Sequence, residues 1–283
     1  MSKHPATAPF VVNEPCLSRA WAQAFLHIID NSGKEITPLV LSITGFQDKG
    51  VAVEDASLRH ALDELLVLKN MQNVEDVAYT IFPERLWQMS AGNRAKLFEY
   101  YRLAFPRYQA MNRKLNGRGL YFERLISYNQ NAPCAGNQLE WIISQHNNRS
   151  GVRRSMFQAT TFDPVRDHVA SSQLGFPCLQ HVTFEPTDDG LVANAFYATQ
   201  LILKKGYGNY LGLARLAAFM AHEMKMPLAR LNVMVGIEKL DEIPKTDVSM
   251  NPLIAAARTC IASPASDESN AAHSPRMELE TTT

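Results

Sequence analysis

The sequence predicts an α+β protein in which helices pack against one large mixed β-sheet. The 283-residue chain is 46% hydrophobic, which is enough to bury a sizeable core. Its periodicities predict a helix, a strand, several helices, several strands, a long helix and a last strand, in that order. This order favours helices that are segregated against a mixed sheet.

The first part of the chain predicts a helix, a strand and a second helix. Residues 18–30, SRAWAQAFLHIID, carry apolar side chains at helical spacing, with Ser18 placed to cap the N-terminus. Residues 38–46, PLVLSITGF, are rich in β-branched side chains and predict a strand. Residues 57–70, SLRHALDELLVLKN, repeat apolar side chains at i, i+3, i+4, i+7 and i+8, which predicts a helix with one buried face.

The middle of the chain predicts further helices that lead into strands. Residues 94–116 are typical of a basic, aromatic helix that Pro106 ends or kinks. Residues 117–128 predict a turn and a short element, and residues 137–148 predict an amphipathic helix. Residues 150–162, SGVRRSMFQATTF, predict a strand with two adjacent arginines at its start.

The second half of the chain predicts a hairpin, a long helix and a final strand. Residues 178–186 and 190–200 form two strand patterns that are joined by TDDG, and Asp-Gly is a strong hairpin signal. Residues 209–224 predict a long apolar helix, and residues 229–237 predict the last strand.

These elements predict one domain over residues 18–262. An N-terminal arm of residues 1–17 precedes it. Residues 263–283 are rich in Ser, Ala, Glu and Thr and have no period that could bury a face, so we expect a disordered tail there.

The composition indicates where the protein is located and which classes of partner it does not generally prefer. Equal numbers of basic and acidic residues, 28 each, give no general preference for nucleic acid or membrane. No apolar run is long enough to span a bilayer, and the N-terminus lacks a signal-peptide pattern. Four cysteines lie without paired or metal-type spacing, which indicates reduced thiols in the cytoplasm: Cys16, Cys134, Cys178 and Cys260.

Five segments occur in a characteristic order. LSITGF precedes DELLVLK, and VRRSMFQATTFDPVRD carries paired arginines ahead of a strand. PCLQHVTF begins a strand with a cysteine, and GLVANAFYATQLILKKGYGNYLGLARLAAFM supplies a return strand, an asparagine and a long helix. Their order and intervals resemble the thymidylate synthase family over about residues 18–241. The resemblance implies a thymidylate synthase-like fold whose large sheet lies at a homodimer interface.

The resemblance makes Cys178 a catalytic nucleophile, with Glu64 and Tyr121 beside it. A thiolate that adds to C6 of a pyrimidine turns C5 into a nucleophilic carbon. Glu64 would manage protons at the pyrimidine carbonyl through water, and Tyr121 would lie next to the cysteine. From the residues alone, each has an alternative. Cys178 could be a small apolar residue in a sheet, Glu64 could lie on a solvated helix face, and Tyr121 could serve aromatic packing.

Substrate contacts fall, by resemblance, on Asn209, Thr199, Arg153 and Arg154. Asn209 would read the base edge because an amide both donates and accepts, and a helix N-cap is the alternative. The arginine pair would help to ionise Cys178 and would reach the phosphate in the partner subunit, and a solvated turn is the alternative. Thr199 stands where the family has the serine of a phosphate-binding Arg-Ser pair.

The cofactor that the resemblance implies is 5,10-methylenetetrahydrofolate, with Ile81 and Phe82 among its contacts. The aspartate that contacts the pterin in the family is Leu201 in this chain. The sequence also departs from the family at substrate-binding positions and after the cysteine, where it has Leu179, Ala198, Lys239 and Asp241. Lys204 and Lys205 offer substitute positive charge.

The sequence therefore predicts a divergent transferase that moves a methyl or hydroxymethyl group to C5 of a pyrimidine nucleotide or nucleoside. The departures argue against ordinary deoxyuridine monophosphate as the substrate. One alternative is a protein of the same fold that binds a nucleotide-like ligand or acts as a scaffold without catalysis. Another is cysteine addition without folate, in exchange or removal at C5.

Overall fold

The computed structural model describes residues 8–170 and 175–263. Within them the strands are β1 (Phe10–Glu14), β2 (Glu35–Ile36), β3 (Leu39–Ile43), β4 (Gln158–Thr160), β5 (Leu179–Thr187), β6 (Gly190–Leu201) and β7 (Leu228–Lys239). The longer helices are α1 (Leu17–Asp30), α2 (Ala56–Leu68), α5 (Arg94–Met111), α8 (Gln138–Asn148), α10 (Tyr207–Glu223) and α11 (Asn251–Ala262). The shorter ones are α3 (Val74–Tyr79), α4 (Glu84–Met89), α6 (Arg113–Asn116), α7 (Tyr121–Ile126) and α9 (Pro164–Asp167).

The strands form one mixed sheet in the order β1-β3-β7-β6-β5-β4. The short strand β2 also pairs with β7, along the same edge of β7 as β3. The pairs β1 with β3 and β6 with β7 are parallel, whereas the other pairs are antiparallel. The predicted α+β class with a large mixed sheet is therefore confirmed. The Asp-Gly turn joins β5 to β6 as predicted, and Gly190 has a φ of 128° there, which favours glycine.

The two faces of the sheet differ in burial. Side chains that point toward α1 and α10 are buried in the core. Two cross-strand rows on the opposite face are exposed or half-buried along their whole length, because no described element covers them. The rows are Val11, Val40, Met234, Phe196, His181 and Thr160, and Asn13, Ser42, Asn232, Asn194, Thr183 and Gln158.

Helix α10 lies across β6 and β7 and packs closely on α3. Two glycines make this approach possible. A Cβ at Gly208 would lie 2.6 Å from the Cβ of Val77, and one at Gly212 would lie 2.7 Å from the backbone oxygen of Ala78. Helix α10 is thereby fixed against both the sheet and α3.

We expect Gly212→Ala to destabilise the fold. Overpacking costs about 1–3 kcal/mol, which exceeds the roughly 1 kcal/mol that alanine gains over glycine in a helix. Denaturant unfolding of Gly206→Ala is the control, since the nearest atom to a Cβ at Gly206 lies 3.4 Å away. Equal midpoints for the two variants would contradict the tight packing of α10 on α3.

The cap predicted at Ser18 is wrong. Helix α1 begins at Leu17, and Cys16 occupies the N-cap position without a side-chain hydrogen bond. The buried Ser18 hydroxyl instead accepts from the backbone N–H of Asp55 at 2.7 Å and bonds the Tyr207 hydroxyl at 2.7 Å. The Ser18 hydroxyl, which the local pattern assigned to helix capping, is therefore used in a tertiary contact with α10.

Pro106 does not end its helix, because α5 continues to Met111. A proline inside a helix removes the hydrogen bond to the carbonyl four residues before it. That carbonyl belongs to Arg102, and both Arg102 and Pro106 are exposed, so water can satisfy it.

Several elements escaped the sequence patterns. The expected N-terminal arm contributes β1, which pairs in parallel with β3. Helices α3, α4 and α11 were also not predicted, and α11 packs on α1 and α2. The expected disordered tail lies outside the described residues from position 264 onward.

Candidate active site around Cys178

Cys178 lies immediately before β5 and has a half-buried side chain. Its backbone carbonyl accepts from the N–H of Ala198 at 3.1 Å, which holds it against β6. The hydroxyl of Tyr121, at the start of α7, accepts from the N–H of Leu179 at 3.4 Å. The structure thus brings together Cys178 and Tyr121, two of the residues that the resemblance placed at the catalytic centre.

The charged group that acts on the Cys178 thiol is Lys205. Burial raises the pKa of the thiol, and among the described residues the charge of Lys205 is what opposes this shift. Burial in turn lowers the pKa of Lys205, whereas the electrostatic effect of Cys178 raises the pKa of Lys205. The Lys205 ammonium donates to Oε1 of Gln72 at 2.5 Å, so its side chain is held near the end of α2.

Lys205 is presented by a π-helical turn, Ile202–Gly206, between β6 and α10. The carboxylate of Asp241 accepts from the N–H of Leu203 at 2.8 Å and from the N–H of Lys204 at 3.2 Å. Asp241 therefore holds the turn that carries Lys205.

Arg153 and Arg154 lie elsewhere. Both are exposed at the 3-10 turn Arg154–Met156 that precedes β4 at the edge of the sheet. Neither side chain makes a hydrogen bond or an ion pair with the part of the chain that the structure describes. Arg154 lines an open cleft of about 320 Å³ together with His146 and Arg149. Within one chain the arginine pair therefore does not provide the charge beside Cys178 that the sequence led us to expect.

Glu64 points to solvent from α2. Its side chain is 64% exposed, and its Oε1 lies 3.2 Å from Nε2 of His60 one turn earlier. The buried face of α2 is formed by Leu58, Leu62, Leu65 and Leu66. Within the described residues Glu64 has no contact with Cys178, and its position matches the solvated helix face that the sequence left open.

Asn209 is buried, with 4% of its surface exposed. It is the third residue of α10, and the N-cap position belongs to Gly206, so the capping alternative is excluded. No hydrogen bond satisfies the Asn209 amide within residues 8–170 and 175–263. The amide atoms are not among the fully buried polar atoms that lack a partner, so they reach solvent and are available to bind a polar ligand group.

Thr199 uses its hydroxyl within the sheet. The group donates to the backbone carbonyl of Ile237 on β7 at 3.2 Å. Ile81 and Phe82 are completely buried, and the Phe82 ring packs against Phe122 and Phe219 with centroid distances of 5.8 and 5.2 Å. The structure gives Ile81 and Phe82 a packing role in place of the folate contact that the resemblance implies.

Sequence reasoning missed three polar residues in the interior near Cys178. Tyr197 and Gln200 lie on β6 and Glu238 lies on β7, each with at most 4% exposure. Side chains alternate between the two faces of a strand, so Glu238 is expected on the face opposite the buried Val235. The alternation is interrupted, because the two residues after Val235 are both half-buried and Glu238 is buried. The sequence pattern gave no signal for this burial, since Glu238 follows the predicted strand directly and precedes Lys239.

No protein-family model matches the sequence, and no curated protein matches it at a significant level. In the described part of the chain, no cluster of three or more His, Cys, Asp or Glu side chains could hold a metal ion. None of its helices combines the length and apolarity that crossing a bilayer requires. The site is therefore defined by its own geometry: a half-buried thiol, a tyrosine hydroxyl that bonds the next backbone N–H, and a lysine whose charge acts on the thiol.

Proposed function

We propose that this chain is a divergent enzyme of the thymidylate synthase superfamily that transfers a methyl or hydroxymethyl group to C5 of a pyrimidine nucleotide or nucleoside. The observation that carries the proposal is the placement of Cys178 beside Tyr121 and Lys205. These residues come from three separate parts of the chain. The charge of Lys205 acts on the half-buried thiol, and the aromatic side chain of Tyr121 lies next to it.

The central step is addition of the Cys178 sulfur to C6 of the ring. The thiolate is the reactive form, and burial alone would suppress it. The positive charge of Lys205 favours the thiolate over the thiol, and the thiol proton is released to water. The carbon-sulfur bond moves the electron pair of the C5–C6 double bond onto C5 and the adjacent carbonyl. C5 then bonds to the one-carbon electrophile and loses its proton, and the thiolate leaves from C6. From a donor at the formaldehyde oxidation level, a hydroxymethyl product also takes up water, and a methyl product takes up a hydride that the donor itself supplies.

Asn209 supplies base recognition in this proposal. Its buried amide offers one acceptor and two donors, and a uracil edge presents complementary groups. Helix geometry places it between Gly208, which faces α3, and Tyr210, which faces the sheet.

The residues do not fit the folate donor in the way that the resemblance implies. Ile81 and Phe82 are fully buried, and Leu201 cannot accept the hydrogen bonds that a pterin ring donates. The proposal therefore rests on the cysteine addition, which can be observed without 5,10-methylenetetrahydrofolate.

Tritium release from C5-labelled pyrimidine nucleotides and nucleosides tests this addition directly, in the presence and absence of 5,10-methylenetetrahydrofolate. Mass spectrometry then identifies any ring-modified product. We expect Cys178→Ala to abolish release and product, because no other group can form the adduct. Cys134→Ala is the matched control, since this exposed thiol lies outside the site. A wild-type protein without tritium release or product from any candidate would refute the enzymatic proposal.

The open face of the sheet supports a homodimer. Exposed Met234, at 45%, and half-buried Phe196 supply apolar surface at its centre. A polar ladder runs beside them, in which Asn232 donates to Asn194 at 2.8 Å and Asn194 donates to Thr183 at 2.9 Å. A two-fold axis through this face would bury both rows against their copies. By resemblance, it would also bring Arg153 and Arg154 to the partner's site.

Met234→Glu is expected to convert the dimer into a monomer, because it places a charge in the buried centre of the interface. Sedimentation velocity measures the change. Val67→Glu, on the exposed face of α2 where Val67 is 73% exposed, is the control and is expected to stay dimeric. An unchanged dimer in Met234→Glu would exclude this face as the interface.

Shared sites make a further test possible. Mixing Cys178→Ala with Arg154→Ala protein is expected to restore part of the activity, since each mixed dimer contains one intact site. No recovery from two separately inactive variants would exclude an arginine contribution across the interface.

A second candidate function is nucleotide binding without catalysis. The exposure of Glu64 favours it, because the acid expected to manage protons does not reach Cys178. Calorimetry with pyrimidine nucleotides distinguishes the two: binding by wild type and Cys178→Ala alike, with no turnover by wild type, supports this candidate.

A further inference from the structure

Four buried polar atoms lie beneath α10 without a hydrogen-bond partner among the described residues. They are Oη of Tyr197, Nε2 and Oε1 of Gln200, and Oε1 of Glu238. Gln200 and Glu238 are direct neighbours in the register of β6 and β7. A sheet interior normally satisfies such groups, so this concentration marks a specific site.

Glu238 is the titratable member of this group and is fully buried. Its Oε2 accepts from the hydroxyl of Tyr210 on α10 at 3.2 Å. Tyr197 faces it from β6, and Asp241 acts on it from beyond the end of β7. Strand β2 contributes the buried, apolar Ile36 as its neighbour in register. No cation in the described part of the chain pairs with the carboxyl group, so an ionised Glu238 would be an uncompensated buried charge.

We propose that Tyr197, Gln200 and Glu238 enclose an internal site for ordered water, in which Glu238 is held as a neutral carboxylic acid. Their free atoms do not bond one another directly, and a buried water makes two to four hydrogen bonds. The acid supplies a donor, the amide supplies donors and an acceptor, and the phenol supplies either. Burial raises the pKa of Glu238 well above its usual range, in agreement with the geometry.

The site lies next to the candidate active site. Tyr197 pairs in register with Leu179, the residue after Cys178, and β6 separates the strand of Cys178 from the strand of Glu238. Tyr197 interacts electrostatically with Cys178 and Tyr121 on one side and with Glu238 on the other. Ionisation of Glu238 would place a negative charge on the far side of Tyr197 and disfavour the thiolate. A neutral Glu238 therefore keeps the interior compatible with a reactive Cys178.

Infrared difference spectroscopy reads the carboxyl group directly and does not depend on the proposed reaction. We expect a protonated-carboxyl C=O band in the wild type at neutral pH that disappears in Glu238→Gln. Carbon-13 labelling of glutamate side chains gives the same answer by NMR on the wild type, should the variant not fold. An ionised Glu238 at neutral pH by either method overturns the proposal.

Alkylation of Cys178 by iodoacetamide provides an independent readout, in a Cys134→Ala background that removes the exposed thiol. Glutamine mimics a neutral carboxyl group, so we expect the Glu238→Gln rate at neutral pH to lie within about twofold of the parent rate. A rate about tenfold faster, which equals one pKa unit of the thiol, would show that the carboxyl group is ionised and would overturn the proposal.

A high-resolution crystal structure tests the water. We expect an ordered water within hydrogen-bonding distance of Gln200 and Tyr197. Direct hydrogen bonds between the side chains, with no water among them, would overturn that part of the proposal.

Discussion

Asp167→Ala is expected to lower the free energy of unfolding by about 3–5 kcal/mol, because it leaves a buried guanidinium without its counter-ion. Arg124 on α7 is 2% exposed and Asp167 on α9 is fully buried. The guanidinium donates to both carboxylate oxygens, at 2.7 and 2.8 Å. It also donates to the backbone carbonyls of Thr161 at 2.7 Å and Arg118 at 2.9 Å. The pair therefore fixes the segment after β4 to α7, the helix that begins with Tyr121 of the candidate site.

The pH dependence of this effect has a definite sign. Burial opposes ionisation of Asp167, but the hydrogen bonds from Arg124 outweigh it, and the pKa of Asp167 is lowered. A group with a lowered folded-state pKa stabilises the fold above its unfolded-state pKa, and this stability is lost as pH falls through the folded-state value. The difference between wild type and Asp167→Ala should therefore shrink toward strongly acidic pH.

Chemical denaturation of two further proteins completes the test. Asp30→Ala removes a surface pair in which Arg258 is 57% and Asp30 is 46% exposed, and it should cost at most about 1 kcal/mol. Replacement of both members, as Arg124→Met with Asp167→Leu, should recover much of the loss because no buried charge remains. A cost for Asp167→Ala no larger than that of Asp30→Ala would contradict the structure of this pair.

Lys205→Met is expected to slow the alkylation of Cys178 at neutral pH by about five- to tenfold. Lys205 opposes the effect of burial on the thiol, so its removal shifts the pKa of Cys178 further upward and the alkylation profile to higher pH. A charge interaction of about 1 kcal/mol corresponds to roughly a fivefold change, and 1.4 kcal/mol to tenfold. The initial rate of iodoacetamide labelling between neutral and alkaline pH measures the shift.

Lys204→Met is the matched control, because the neighbouring lysine acts on Lys205 but not on Cys178. It is expected to retain the parent profile. Equal profiles for the two variants would show that Lys205 does not control the thiol, and an effect of Arg153→Ala or Arg154→Ala in its place would restore the assignment based on resemblance.

The periodicities were sufficient where burial follows from local spacing. The leucines of α2 repeat at helical intervals and are buried as predicted, and α10 covers nearly all of the predicted segment. The Asp-Gly turn of the hairpin is likewise local, since it depends on the conformational freedom of Gly190. Neighbouring residues decide such features, so the sequence is enough to read them.

The catalytic assignments show where local spacing is insufficient. Glu64 is adjacent to the buried stripe of α2 in sequence, yet its side chain points to solvent and pairs with His60. Lys205 acts on Cys178 because the π-helical turn, held by Asp241, follows the strand that pairs with the cysteine. The spacing of residues in the sequence does not predict that Lys205 lies where its charge acts on Cys178.

The sequence by itself determined the α+β class and most of the main helices and strands, and it singled out Cys178 as the candidate nucleophile. The tertiary structure alone decided that the Tyr121 hydroxyl bonds the backbone next to this thiol, that the charge of Lys205 acts on the thiol, and that Asn209 and Glu238 are buried. The physical reason is range: periodicity and turn chemistry act over a few residues, whereas the charge and burial around a side chain depend on strands and helices that are distant in the chain.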